Sequence, residues 1–168
     1  LIGDLCNGGL NFPDIESHIE TQKIMWVKRL IEDENNPWKV VPLTYISKMG
    51  GRKTVFNNFN VKCITKNFIP FYKHCLEAWS KCACIQPNTS KEVLIQPLWN
   101  NKILLFNLPK AFISMMLEND IVIVKDVYKP NGCIKCFSDI IPLHSKLYQQ
   151  YYINWLSLVQ TIPKQWKQ

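Results

Sequence analysis

The residues best suited to chemistry in this chain are its cysteines and histidines. Cys133-x-x-Cys136 precedes His144, and Cys82-x-Cys84 follows His74-Cys75. Together they invite a zinc reading. A structural zinc takes four ligands, and its strong signal is a C-x₂-C pair matched by a second pair. Here the second pair is one residue short and falls on an expected helix or its end, so no metal ligand is assigned and no cofactor is expected. Cys133 and Cys136 flank Ile134 in an apolar stretch, where cysteine commonly serves as a small hydrophobe. His74 beside Cys75 is a poor thiol–base pair, because adjacent helical residues do not face each other. The GGRKT stretch at 50–54 lacks the first glycine and the spacing of a nucleotide-binding phosphate loop, which leaves Arg52 and Lys53 as simple phosphate contacts. Glu32, Asp33 and Glu34 cluster three carboxylates, but at a helix end beside Asn35-Asn36-Pro37, where a solvated terminus is the plain expectation. No catalytic residue is assigned.

Charge says more than any motif. Residues 1–34 carry seven acids against three bases, whereas residues 35–91 carry nine bases against Glu77 alone. A block of that kind attracts polyanions by neutralising phosphates and releasing counterions. Its simplest alternative is a solvated, lysine-rich face. Of the 20 bases, all but Arg29 and Arg52 are lysines, which favours backbone electrostatics over bidentate base readout. The residues assigned to nucleic-acid contact are Lys48, Arg52, Lys53, Lys62, Lys66 and Lys73. Trp38, Tyr45, Phe56, Phe59, Phe68, Phe71 and Tyr72 lie within the same block. Most of those rings are expected in the core, with one or two at the surface able to stack on bases.

These side chains need elements to place them. Apolar spacing predicts a helix over residues 13–33, led by Pro13, with Ile15, Ile19, Trp26 and Leu30 on one face and Val27 and Ile31 widening it. WKVVPLTYISKMGG reads as a shorter apolar segment closed by Gly50-Gly51. RKTVFNNFNVKCITKNF reads as irregular, with a short strand at most. IPFYKHCLEAWSKCAC predicts a helix with Phe71, Cys75, Ala78 or Trp79, and Cys82 on one side. IQPNTSKE is a loop, and QPLWNNKILLFN a turn with a buried strand or short helix. A short helix is expected at residues 111–117, a strand-like run over IVIVKDVYKPNGC, and helix from Ser138 onward interrupted by Pro142. In that last segment Leu147, Tyr151 or Tyr152, Trp155, Leu158 and Val159 form the apolar face.

A chain of 168 residues with 47% hydrophobic and 12% aromatic content can build one domain around its own core, and too little remains for two. The fold class expected is mainly α with minor β, a single irregular helical domain. No apolar run is long enough to span a bilayer, so no membrane partner is expected. Seven cysteines is an odd number, and residues 1–7 lack the charged and apolar regions of a leader. Reduced thiols in the cytoplasm or nucleus are therefore expected. The absence of an initiator methionine and the Gly8-Gly9 hinge lead to the expectation that the chain is a fragment of a larger protein.

GGLNFPDIESHIETQKIMWVKRL resembles the stretch that follows the polymerase region of non-LTR (LINE-type) retrotransposon proteins, where a Gly-Gly, a Pro-Asp and a long helix with a central aromatic recur in order. WKVVPLTYISKMGG, FYKHCLEAWSK, QPLWNNK, NDIVIVKDVYKPNGCIKCFSDI and YYINWLSLVQTIPKQWK follow in the family's sequence, so the likeness covers nearly the whole chain. The resemblance implies that residues 1–12 are the exit from a polymerase thumb and residues 13–168 a helical accessory region. It implies that this region helps hold template RNA and the primer–template duplex during target-primed reverse transcription, with the reverse transcriptase core of the same polyprotein as its partner. The family's Tyr/Phe-x-Asp-Asp turn, whose carboxylates bind divalent metal, is missing here, since the chain has no Asp-Asp pair. By itself the chain is then expected not to be an enzyme. Two other function classes compete: a structural or interaction remnant of a decayed or domesticated element that touches no nucleic acid, and a small zinc module.

Overall fold

A computed structural model describes residues 14–32, 34–64, 68–84, 86–104 and 106–166. The expected hinge at residues 1–12 and Lys66 lie outside the described residues. The protein is mostly helical and forms one small domain. Its β structure, among the described residues, is limited to isolated antiparallel bridges joining Phe59 to Asn101, Pro97 to Ile123 and Tyr128 to Ile134.

Helix α1 spans Ile15–Ile31. Asp14 starts it, its carboxylate accepting from the Glu16 and Ser17 N–H groups and from the Ser17 hydroxyl. That satisfies donors that every helix N-terminus leaves open. Helices α2 (Val40–Ser47) and α3 (Arg52–Val55) are joined by a turn through Gly50 and Gly51, both at positive φ. The Gly51 N–H donates back to Ile46 O at 3.0 Å, so the double glycine does end a helix. Helix α4 (Pro70–Cys82) has proline at its first position, where the missing N–H costs nothing. It packs against α1 as the principal helix pair. The two run antiparallel: Glu20 meets Lys81 at one end, and Trp26 meets Phe71 and Tyr72 at the other.

The C-terminal half holds α5 (Ser90–Leu94), α6 (Lys110–Glu118) and α7 (Lys146–Thr161). Two segments expected as strand or helix are neither. In the QPLWNNKILLFN stretch, Leu98, Trp99 and Leu104 are buried, but Asn101 organises the backbone. Its Nδ2 donates to Pro97 O at 2.8 Å, and its Oδ1 accepts from Ile103 N–H at 2.7 Å. Such local side-chain bonds compete with regular ladders. The run expected as a strand at IVIVKDVY becomes a 3₁₀ turn over Val124–Val127, because the Asp126 carboxylate accepts from the Val122 and Ile123 N–H groups at 2.9 and 2.8 Å. Helix after Ser138 begins only at Lys146; a 3₁₀ turn covers Phe137–Asp139, and the Ser145 hydroxyl caps α7.

Two apolar clusters form, among the described residues. One gathers Val27, Leu30, Ile46, Val55, Phe59, Phe68, Cys75 and Leu76. The other is larger and centres on Trp99, Phe112, Met116, Phe137, Trp155 and Leu158. Between them lies a polar seam. Asn58 Nδ2 donates to Gln96 Oε1 at 2.7 Å with both residues buried. The Asn58 N–H donates to Ala83 O, Asn60 N–H to Asn100 O and Lys102 N–H to Asn58 O, at 2.7, 2.6 and 2.7 Å. All but the Asn58–Ala83 bond, which stays within the N-terminal half, tie that half to residues 96–102.

The apolar faces are partly redrawn. Ile15 and Ile19 are 72% and 48% exposed. The reason is length: α4 ends at Cys82, just past the Lys81 that meets Glu20, so the first turns of α1 run beyond their partner. On α4 the buried face is Cys75, Leu76 and Ala78, with Tyr72 and Trp79 packed against the same cluster, while Phe71 and Cys82 point to solvent. On α7, Tyr151, Trp155 and Leu158 are buried, but Leu147 and Tyr152 are exposed.

Candidate nucleic-acid interface

The basic residues do not form one site. Lys48 is exposed at the end of α2, and Lys53 is exposed on α3. Arg52, beside it, turns its guanidinium toward the C-terminal end of α1 and donates to Glu32 O at 3.3 Å. Lys39, also in the basic block, is only 3% exposed; its Nζ donates to the same carbonyl at 2.9 Å and lies 5.7 Å from the Trp38 ring centre. Two cations thus complement the negative end of a helix dipole. Lys62 and Lys73 belong elsewhere: Lys62 lines a groove along α4, and Lys73 is tied to that groove through Glu77.

That groove has a volume of about 720 Å³. Its walls include Glu20 and Lys23 from α1, Lys62 from the 3₁₀ turn Val61–Cys63, His74, Glu77 and Lys81 from α4, and Lys102. Helical spacing explains the α4 contribution, since His74, Ala78 and Lys81 succeed one another along a single face. Lys23 falls one turn past Glu20 on α1. Lys102 is drawn in by the seam, its Nζ donating to Ser80 O at 2.5 Å. Both groove carboxylates are already engaged. Glu20 bridges Lys81 at 2.6 Å, and Glu77 bridges Lys73 at 3.8 Å. The Lys81 hydrogen bond holds the Glu20 carboxyl below its usual range, and reciprocally raises the Lys81 ammonium. Among the described lining residues, four lysines face two carboxylates, and Lys73 adds a further cation at the rim.

Among the described residues of the assigned set, Lys62 therefore lines the groove, and Lys73 reaches it only through its pair with Glu77. Lys23, Lys81 and Lys102 were not assigned, and linear charge could not have selected two of them. Lys23 lies in the acidic segment and Lys102 beyond the basic block; only the α1–α4 pairing and the Asn58 seam carry them together.

Of the seven rings in the basic block, Phe59 and Phe68 are buried, Tyr45 and Tyr72 half-buried, and Trp38, Phe56 and Phe71 exposed. Trp26 of α1 joins three of them. It stacks on Tyr72 (5.2 Å, 14°), meets Phe71 edge-on (5.4 Å, 81°) and touches Trp38 (5.4 Å, 49°).

Cys82, Cys84, Cys133 and Cys136 are all exposed thiols, so the small-hydrophobe role expected for Cys133 and Cys136 does not hold. The backbone explains it: Cys133 N–H donates to Asn131 Oδ1 and Cys136 N–H to Asp139 Oδ2, turning the segment outward. Among the described residues no three His, Cys, Asp or Glu side chains converge to hold a metal ion. Cys75 is buried, and burial pushes its thiol up, away from the thiolate a nucleophile needs. No helix, among the described residues, is long and apolar enough to cross a membrane. Comparison with protein-family models, curated proteins and solved structures finds no match.

Proposed function

We propose that this chain is a non-catalytic accessory region that binds the nucleic-acid backbone, acting beside a LINE-type reverse transcriptase inside the cell and helping to hold template RNA and primer–template duplex. The observation that carries the reading is the α1–α4 groove, in which lysines from four separate parts of the chain converge on two carboxylates and outnumber them even with Lys81 paired to Glu20. A fold built only as a scaffold has no need to gather like charges, since unshielded cations repel. The resemblance of the ordered segments from GGLNFPDIESHIE to YYINWLSLVQ supplies the retrotransposon part of the proposal.

The competing reading, a packing module that touches no nucleic acid, draws on the exposed Ile15 and Ile19 of α1. Fluorescence anisotropy across a salt series separates the two. RNA and primer–template duplex should bind with little sequence preference, and log affinity should fall linearly with log salt. Replacing Lys23, Lys62 and Lys81 by Ser should flatten that slope by about 2 to 3, at roughly 0.7–0.9 for each phosphate no longer neutralised. The double replacement of Lys48 and Lys53 by Ser should change it less. Salt-independent or undetectable binding by the parent protein sinks the proposal and leaves the packing module.

A further inference from the structure

The α4 face that walls the groove continues, one turn before His74, to the exposed ring of Phe71. Phe71, His74, Ala78 and Lys81 follow one another at steps of three and four residues, so they share a face of α4. From Phe71 to Lys81 this face extends about 15 Å at the helical rise. On the opposite wall, Lys23 is followed one turn later by Trp26. Trp26 is packed on three rings, and two of those, Phe71 and Trp38, stand 52% and 40% exposed. Trp26 thus braces Phe71 and Trp38 from one side, Lys39 Nζ lies 5.7 Å from the Trp38 ring centre, and both rings keep surface open to solvent.

We propose that the α1–α4 surface is a single-strand site, in which the sugar–phosphate backbone lies along Lys23, Lys62 and Lys81 and unpaired bases stack on Phe71 and Trp38. The inference rests on the backbone-binding reading above and adds to it a preference for single-stranded over duplex nucleic acid. The chemistry separates the two substrates. A duplex offers phosphates but keeps its bases stacked on each other, so it can use the lysines and not the rings. A single strand can use both, because each base has an accessible π-face and stacking on aromatic side chains is sequence-tolerant. Charge complementarity favours this occupant over a protein partner, since Phe71 shares its α4 face with a groove whose lining holds four lysines against two carboxylates.

The test compares an oligothymidylate of about eight nucleotides with a duplex of equal length, at matched salt, by anisotropy and by quenching of tryptophan emission. The variants are Trp38→Leu and Phe71→Leu, which keep apolar bulk and remove the ring, and Trp38→Phe, which keeps a ring. The parent should bind the oligonucleotide more tightly than the duplex, with quenching. Each Leu variant should weaken oligonucleotide binding about tenfold, and Trp38→Phe should restore most of the loss. Circular dichroism confirms that each variant is folded. Equal affinity for the two ligands, with Leu variants binding like the parent, overturns this inference and leaves backbone binding standing. If neither ligand binds, both proposals fall. If the Leu variants change sedimentation of the free protein but not oligonucleotide affinity, the rings form a self-association face and the single-strand site is wrong.

Discussion

Lys39 shows how much a single buried cation decides. Its ammonium is withdrawn from water, donates to Glu32 O at 2.9 Å and lies beside the Trp38 ring. A hydrogen bond from a charged donor contributes about 1.5–3 kcal/mol, roughly twice a neutral one. Lys39→Met should therefore lower unfolding free energy by about 1–3 kcal/mol in urea titration, whereas Lys48→Ser, at an exposed helix end, should stay within about 0.5 kcal/mol. A Lys39→Met protein as stable as the parent means that Arg52 alone suffices at that carbonyl. Exposed carboxylates make a second prediction. Asp14, Glu20, Glu92 and Asp139 all have carboxyl groups held below their usual range: by the Ser17 hydroxyl, by Lys81, by the Asn88 and Thr89 N–H groups, and by Lys129, respectively. A carboxyl whose folded value is depressed contributes stability that is present above its unfolded value and lost as pH falls through the folded one. Urea midpoints should thus hold steady near neutrality and decline below about pH 4, with Asp139→Asn reducing the steepness of the decline. A midpoint that rises on acidification contradicts the assignment. At this scale the sequence was a partial guide. It counted Lys39 only as one of the nine bases of the block, because nothing in a linear pattern marks a lysine whose ammonium folds back onto a helix end.

The α2–α3 turn gives the sharpest test among the elements. Gly50 and Gly51 both have positive φ, but their surroundings differ. A Cβ on Gly50 would come within 2.5 Å of Thr54 Oγ1 and 3.0 Å of Leu117 Cδ2, whereas one on Gly51 meets nothing within 4 Å. Gly51→Ala bears only the cost of a positive-φ backbone, while Gly50→Ala adds a clash with Thr54 Oγ1 in α3 and a tight approach to Leu117 and Val122 of the other half. Gly50→Ala should be the more destabilising by about 1–3 kcal/mol, measured as the difference in urea midpoints. Equal losses would show that the turn relaxes. The double glycine was legible as a helix end because positive φ has a residue signature. So was α1 as an element, though its apolar stripe was read a few turns too far toward the N-terminus, where Ile15 and Ile19 are exposed. Helix α5 was legible but missed within IQPNTSKE. Thr89 and Glu92 carry the T-x-x-E spacing of a capping box, and both of its bonds form, from Glu92 N–H to Thr89 Oγ1 and from Thr89 N–H to Glu92 Oε2. The 3₁₀ turn at Val124–Val127 was not legible, since alternating apolar residues promise a strand and one carboxylate, Asp126, overrides them.

Across the whole molecule the question is whether two apolar clusters unfold as one. Each buries its own set of large side chains, yet neither half is closed without the other at residues 58–60 and 96–102. The seam between them is polar: the buried Asn58–Gln96 pair, the backbone hydrogen bonds from Asn60 to Asn100 and from Lys102 to Asn58, and the Lys102 ammonium on Ser80 O. Periodicity can find the clusters but not the seam, because its partners are some forty residues apart and Asn58 sits at φ +53, a conformation asparagine tolerates better than most residues. Hydrogen bonds buried this way are costly to break singly, since the partner left behind loses both protein and water. Gln96→Leu keeps the volume nearly constant and removes the acceptor of Asn58 Nδ2, together with the local Gln96 Nε2 bond to Glu92 O. It should lower stability by about 1–3 kcal/mol. Three tryptophans, Trp26, Trp38 and Trp79, report on the N-terminal half, and Trp99, Trp155 and Trp166 on the C-terminal half. In the parent protein, urea transitions followed by circular dichroism and by tryptophan emission should coincide, as two-state unfolding requires. In Gln96→Leu they should separate, with the smaller N-terminal cluster opening first, because it buries less apolar surface. Transitions that already separate in the parent mean that the seam does not couple the halves. Transitions that still coincide in the variant mean that the backbone bonds between residues 58–60 and 100–102 carry the coupling without the Asn58–Gln96 pair.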